Sequence, residues 1–155
     1  MEARNRPFSH IIVPTDGSET SINAGQLAIQ IAAMHPTKIT FVYVIDTKTA
    51  EEVSRTTRKT PDEVRAEFSG QAQRYLDYLA RLAAYQGISA AQVIRYGTPY
   101  VEITEVAREL NADLIVIGRV SGLGTQRLAR IGSVAERVIE YAHCPVLTVR
   151  HTYHE

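Results

Sequence analysis

The chain has 155 residues, 45% hydrophobic and 22% charged, with 17 Lys and Arg against 17 Asp and Glu. A chain of this length buries roughly two thirds of its unfolded surface, so it needs no disulfide or structural metal to hold a core, and the single Cys144 can form no internal bridge. Formal neutrality argues against a general nucleic-acid binder, which needs an excess of cations over a broad face, but leaves room for one local anion site.

The amino terminus, Met1 to Pro7, is polar and charged and leads into no apolar run of signal-peptide length. No apolar stretch approaches the roughly 20 residues of a membrane span. The expectation is a soluble, cytoplasmic protein of one domain over residues 1–155, with its core at about 10–150 and flexible ends at 1–7 and 151–155.

Short β-branched runs alternate with longer segments of helical periodicity, the signature of repeated βαβ units around a parallel sheet. The first strand, His10 to Thr15, closes on the turn Asp16-Gly17-Ser18. Ala24, Leu27, Ala28 and Ile31 then mark a helix ending near His35-Pro36. Ile39 to Ile45 is a second strand, ending at Asp46. Residues 47–59 are polar with little periodicity and read as an exposed loop or a frayed helix entry. Thr60-Pro61-Asp62-Glu63 starts the longest helix, with Thr60 as cap, Pro61 in the first turn and Glu63 completing a capping box. Its stripe runs from Val64 through Phe68, Ala72, Leu76 and Leu79 to a stop at Gly87.

Gln92 to Tyr96 is a third strand, followed by Gly97-Thr98-Pro99, where Thr98 caps a helix carrying Ile103, Val106, Ala107 and Leu110. Leu114 to Ile117 is wholly apolar, as a central strand covered on both faces would be. A glycine-rich segment from Gly118 to Gly132 leads to a helix with Val134, Ala135, Val138 and Ile139, and Val146 to Val149 is the last strand. Five strands and four helices make a doubly wound α/β domain.

Ligands of such sheets bind outside the carboxyl ends of the strands where the strand order reverses. Three turns there stand out: Asp16-Gly17-Ser18, Val44-Ile45-Asp46 and Gly118 to Ser133. Glycines let a backbone approach a ligand closely, and the N–H groups of a helix opened by Gly132-Ser133 suit a phosphate chain. Ser133 with Glu136 three residues on is equally an ordinary capping box. The segment is neither a dinucleotide G-x-G-x-x-G nor a P-loop, and it has no lysine after its last glycine. Asp16 reads either as a turn residue bonded to its own backbone or as a site residue. Arg119, Arg127 and Arg130 could pair phosphate oxygens or simply be solvated charges.

Taken in order, Pro14-Thr15-Asp16-Gly17-Ser18, Val44-Ile45-Asp46, Gly97-Thr98-Pro99 and Gly118 through Gly132-Ser133-Val134-Ala135-Glu136-Arg137, then Cys144-Pro145-Val146-Leu147, resemble the universal stress protein family over about His10 to Arg150. The resemblance is to the ATP-binding class, and it implies an adenine nucleotide alpha hydrolase-like fold with strand order 3-2-1-4-5. It implies ATP, ADP or AMP with Mg²⁺ across the ends of strands one, two and four. Asp16 would face the ribose or the metal-bound phosphates, Pro14 and Thr15 would wall the adenine pocket, and Val44 would pair its backbone with the base. Gly118 and Gly122 would make room for ribose and phosphate, Arg119 would add charge, and Gly132, Ser133 and Val134 would hold the phosphates. A homodimer through Val146 to Val149 is implied as well.

In that class two residues separate the first glycines, whereas three separate Gly118 from Gly122 here. Two functions therefore stand open: a nucleotide-dependent stress regulator with at most slow ATP hydrolysis, or an interaction module of the same fold whose lengthened loop no longer holds phosphate. No catalytic residue is assigned. His143, Cys144, His151 and His154 lack the spacing of a four-ligand zinc site, and Tyr75, Tyr78 and Tyr85 suit core packing or a partly exposed face better than base stacking. The segment from Gly118 to Arg137 holds four Arg against Glu136 alone, so overall neutrality conceals a cationic stretch.

Overall fold

The structure is a computed structural model that describes residues 8–119 and 131–150. Its elements in chain order are β1 (His10–Pro14), α1 (Glu19–Met34), β2 (Lys38–Asp46), α2 (Thr47–Thr56), α3 (Pro61–Tyr85), β3 (Ala91–Gly97), α4 (Pro99–Glu109), β4 (Leu114–Gly118), α5 (Ser133–Tyr141) and β5 (Val146–Val149). The strands form one parallel sheet in the order β3-β2-β1-β4-β5. The chain thus builds outward from β1 to β3 and returns to add β4 on the other side of β1. The reversal lies between β1 and β4.

Because side chains alternate across a strand, the same strands feed two cores. Ile11, Val13, Phe41 and Val116 meet Ala28 of α1 and Leu76 and Leu79 of α3. Ile12, Val42, Ile115 and Ile117 meet Val106 of α4 and Val138 of α5 on the opposite face. Each of the larger side chains, fully buried, contributes about 1.5–3 kcal/mol. Cys144 packs against the second core as a half-buried free thiol, and burial pushes its pKa up.

Among the described residues, four sequence expectations about the elements up to α4 and the exposure of helix stripes are corrected. Residues 47–56 form a helix, so the helices number five. α2 buries none of its residues, which is why no apolar stripe announced it, and it starts because the Asp46 side chain accepts the Lys48 N–H. Thr98 flanks α4 without a side-chain cap bond, whereas Thr60 does accept the Glu63 N–H at 3.2 Å. The buried face of α1 is Ala24, Gly25, Ala28, Ile29 and Ala32, leaving Leu27 and Ile31 half-buried. Leu110 and Ile139, expected on buried stripes, are exposed. No helix of the described residues is long and apolar enough to cross a membrane.

At the amino ends of the strands Asp113 ties β1 to β4. Its carboxylate accepts the Ser9 N–H at 2.7 Å, the Ser9 hydroxyl at 3.0 Å and the His10 N–H at 3.0 Å. Burial alone would raise the Asp113 pKa, but the His10 and Ser9 donors hold it below the ordinary 3.8. A carboxyl with a depressed folded pKa adds stability that is complete above its unfolded value and is lost as pH falls through the folded one. Wild type is therefore expected to exceed Asp113→Asn in stability by a constant margin near neutrality, and the margin should shrink below about pH 4. Urea melts at stepped pH measure it, and a pH-independent margin would refute the role.

Candidate functional site

The turn after β1 is held by its own hydroxyls. Thr15 donates its N–H to the Val42 carbonyl at 2.8 Å, and its Oγ1 bonds Ser21 Oγ at 2.9 Å and accepts the Gly17 N–H at 3.2 Å. Ser18 caps α1 by accepting the Ser21 N–H. Asp16 Oδ1 accepts the Ser18 N–H at 2.9 Å, which is the self-bonded turn, and Asp16 also lines the cavity described below. Gly17 has φ +82°, and the ring of Tyr75 lies 2.5 Å from where a Cβ would stand. That ring stacks on Tyr43 with centroids 6.4 Å apart, so Tyr75 braces the turn from a partly exposed position, and Tyr78 and Tyr85 are exposed as well. Burial, reinforced by the Asp16 carboxylate and Tyr75, raises the Tyr43 pKa and keeps it a phenol.

The end of β2 offers backbone. In a parallel ladder successive residues turn their peptide groups to alternate neighbours. Val42 turns its carbonyl to Thr15, so Val44, two residues on, faces the same way. β1 has ended by then, and Val44 lines the cavity described below.

The end of β4 offers a helix terminus. Arg119 continues the sheet by donating its N–H to the Val149 carbonyl, and its own carbonyl accepts the Gly132 N–H at 2.6 Å. This places the start of α5 directly beside the end of β4. Gly132 is the N-cap, Ser133 is the first helical residue, and no side chain caps the helix. The expected alternative of a Ser133 capping box is thereby corrected. The first intrahelical bond runs from the Glu136 N–H to the Gly132 carbonyl. The N–H groups of Ser133, Val134 and Ala135 thus have no partner within their helix, the arrangement that binds anions at helix starts.

Between these three ends lies a cavity of about 500 Å³, the size of a small-molecule site. Its floor is Pro14, Val42, Val44, Ile117 and Gly118. One wall is Pro99 and Ile103 of α4 with Val134 and Ala135 of α5; the other is Thr49 of α2 with Phe68 and Gln71 of α3. The charged groups lining it among the described residues are Asp16 and Asp46, both acidic. Gly118 shapes the floor by bringing β4 against α1: a Cβ there would lie 2.8 Å from the Thr20 carbonyl carbon.

Of the residues expected at the site, Pro14, Thr15, Asp16, Val44, Gly118 and Val134 line one cavity. Arg119, Gly132 and Ser133 adjoin it through the backbone without lining it. Gly122, Arg127, Arg130 and the terminal segments 1–7 and 151–155 lie outside the described residues. The α2–α3 wall was missed as part of a site. The spacing of Gln71 three residues after Phe68 could have found it, since both then face one way on the helix.

A family model described as the universal stress protein family matches residues 7–150 of this chain. Universal stress protein MJ0531 of Methanocaldococcus jannaschii is 34% identical over 143 residues, spanning 92% of this chain and 82% of that protein. The solved structure of hypothetical protein MJ0577 superposes with a TM-score of 0.82 at 23% identity, covering 96% of this chain and 100% of that one. A universal stress protein solved in complex with cAMP superposes with a TM-score of 0.72 at 26% identity, covering 95% and 100%.

Proposed function

This chain belongs to the universal stress protein family, and from that premise we propose that it is a cytoplasmic stress-response regulator that binds ATP or another adenine nucleotide. The observation that carries the reading is the uncapped start of α5 set beside an apolar cavity wide enough for a base. A relative of this fold has been solved with cAMP, which supports an adenine ligand.

In this reading Pro14 and Thr15 wall the base, which lies between the two helical walls with one edge against the Val44 peptide groups. Gly118 and Gly122 leave room for ribose and phosphate, Arg119 adds positive charge, and the amides of Gly132, Ser133 and Val134 with the Ser133 hydroxyl hold phosphate oxygens. The acidic lining fits a hard divalent cation, which prefers oxygen donors, and Asp16 would hold Mg²⁺ against the phosphates. Bound there, Mg²⁺ would neutralise phosphate charge. Asp16, bonded through Oδ1 in its turn, would be committed to Mg²⁺, and Asp46 Oδ1 caps α2, so neither lining acid is set as a general base and turnover is at most slow.

Equilibrium dialysis with labelled ATP, with and without Mg²⁺, tests the proposal. Retention that cold ATP displaces and EDTA weakens is expected. No retention at millimolar nucleotide would leave the nucleotide-independent interaction module in its place.

The same premise supports a homodimer through β5. One side of that strand pairs with β4, and the apolar side chains of Leu147 and Ile139 nearby are exposed. Sedimentation is expected to give about twice the 17.2 kDa chain mass, and a monomer at high concentration would refute it.

A further inference from the structure

We propose that Gln71 reads the Hoogsteen edge of the bound base and makes the site selective for adenine over guanine. This rests on the nucleotide reading above and names a determinant of its specificity. Three observations lead to it.

Gln71 is half-buried on α3 and lines the cavity beside Phe68, one helical turn away. Its amide makes no hydrogen bond within the described residues, although an amide has two donors and an acceptor to satisfy. The neighbouring glutamine on the same helix behaves otherwise. Gln73 donates to Asp77 Oδ1 at 2.8 Å and to Gln92 Oε1 at 2.6 Å, and Gln92 in turn donates to Asp77 at 3.2 Å. One glutamine of α3 is thus tied into a surface network, and the other lines the cavity with no hydrogen bond among the described residues.

The position of Gln71 selects the base rather than the phosphates. α3 packs on the face of the sheet that carries Phe41 and Tyr43, and α5 packs on the opposite face. A ligand running from the end of β2 to the start of α5 has its base at the β2 end of a cavity that Val44, Thr49 and Gln71 all line. If the Val44 peptide takes the N1 and N6 edge of adenine, the second N6 hydrogen and N7 remain. Gln71 Oε1 accepts the first and Nε2 donates to the second, the bidentate pairing that a glutamine amide makes with adenine. Guanine presents O6 and N7, two acceptors, so one amide atom is left unpaired against it.

Dissociation constants of ATP, 7-deaza-ATP and GTP for wild type and Gln71→Leu test the proposal, since 7-deaza-ATP lacks only the N7 acceptor. Wild type is expected to bind 7-deaza-ATP and GTP about tenfold or more weakly than ATP. Gln71→Leu, which keeps a good helix former, should bind ATP and 7-deaza-ATP alike. Equal wild-type affinities for ATP and 7-deaza-ATP would overturn the proposal even if the variant failed to fold, as would a variant that kept the full gap. Failure of wild type to bind any adenine nucleotide would instead remove the underlying reading, so the two failures are distinct.

Discussion

Ser133→Pro is expected to leave the fold intact and to weaken ATP binding by roughly tenfold or more. Ser133 is the first residue of α5, the position where a missing N–H costs a helix nothing and the fixed φ of proline is already helical. The residue before a proline must be extended, and Gly132 is, with φ −64° and ψ 155°. α3 and α4 already begin with Pro61 and Pro99, so the variant gives α5 the start that two other helices of this chain possess. What it removes is one amide and one hydroxyl aimed at the proposed phosphates. A hydrogen bond to a charged group contributes about 1.5–3 kcal/mol, so even one lost bond is measurable. Titration calorimetry beside a thermal melt reads both halves. Unchanged affinity with an unchanged melting temperature would mean that no phosphate sits at the start of α5.

Gly118→Ala should lower the melting temperature by roughly 5–10 °C, from an overpacking cost of about 2–3 kcal/mol. The added carbon would meet Thr20 C and Oγ1 at 2.8 Å and Ser21 N at 2.9 Å, and backbone atoms at the start of a helix cannot swing aside. Because Gly118 also forms the cavity floor, nucleotide affinity should fall with stability. Gly70→Ala is the internal control. Nothing lies within 4 Å of its Cβ position on α3, and alanine in a helix interior gains about 0.5–1 kcal/mol over glycine. A melt of Gly118→Ala equal to wild type would show that β4 and α1 are not in the close approach described.

What the sequence made legible follows from where apolar side chains are dense. β4 is covered on both faces and is apolar throughout, and α3 carries its stripe from Val64 to Ala83. α2 buries nothing, so its only signal was Asp46, and an aspartate at a strand end reads as a turn as readily as a cap. The strand-end turns were legible because a doubly wound sheet has few places to hold a ligand. The opposite wall was not, because Thr49 and Gln71 are polar residues on helices, where a polar residue normally means solvent. Ser133 was open between cap and anion site for a different reason. The sequence Gly-Ser-x-x-Glu admits either residue as the N-cap, and one position of register decides whether the serine satisfies the helix or leaves its amides available.

The junction of β1 with β4 bears on when during folding a binding site can exist. Ser9 and Asp113 are 104 residues apart in sequence, and the strands they join form the centre of the sheet. Closing so long a loop is slow and comes late, whereas β2 and β3 and the helices between them are nearer neighbours along the chain. The cavity draws its floor from both sides of that junction, Pro14 on one and Ile117 and Gly118 on the other. No amino-terminal fragment and no intermediate lacking β4 contains it. Any ligand held there recognises only finished molecules and adds its binding energy to the last step of their assembly.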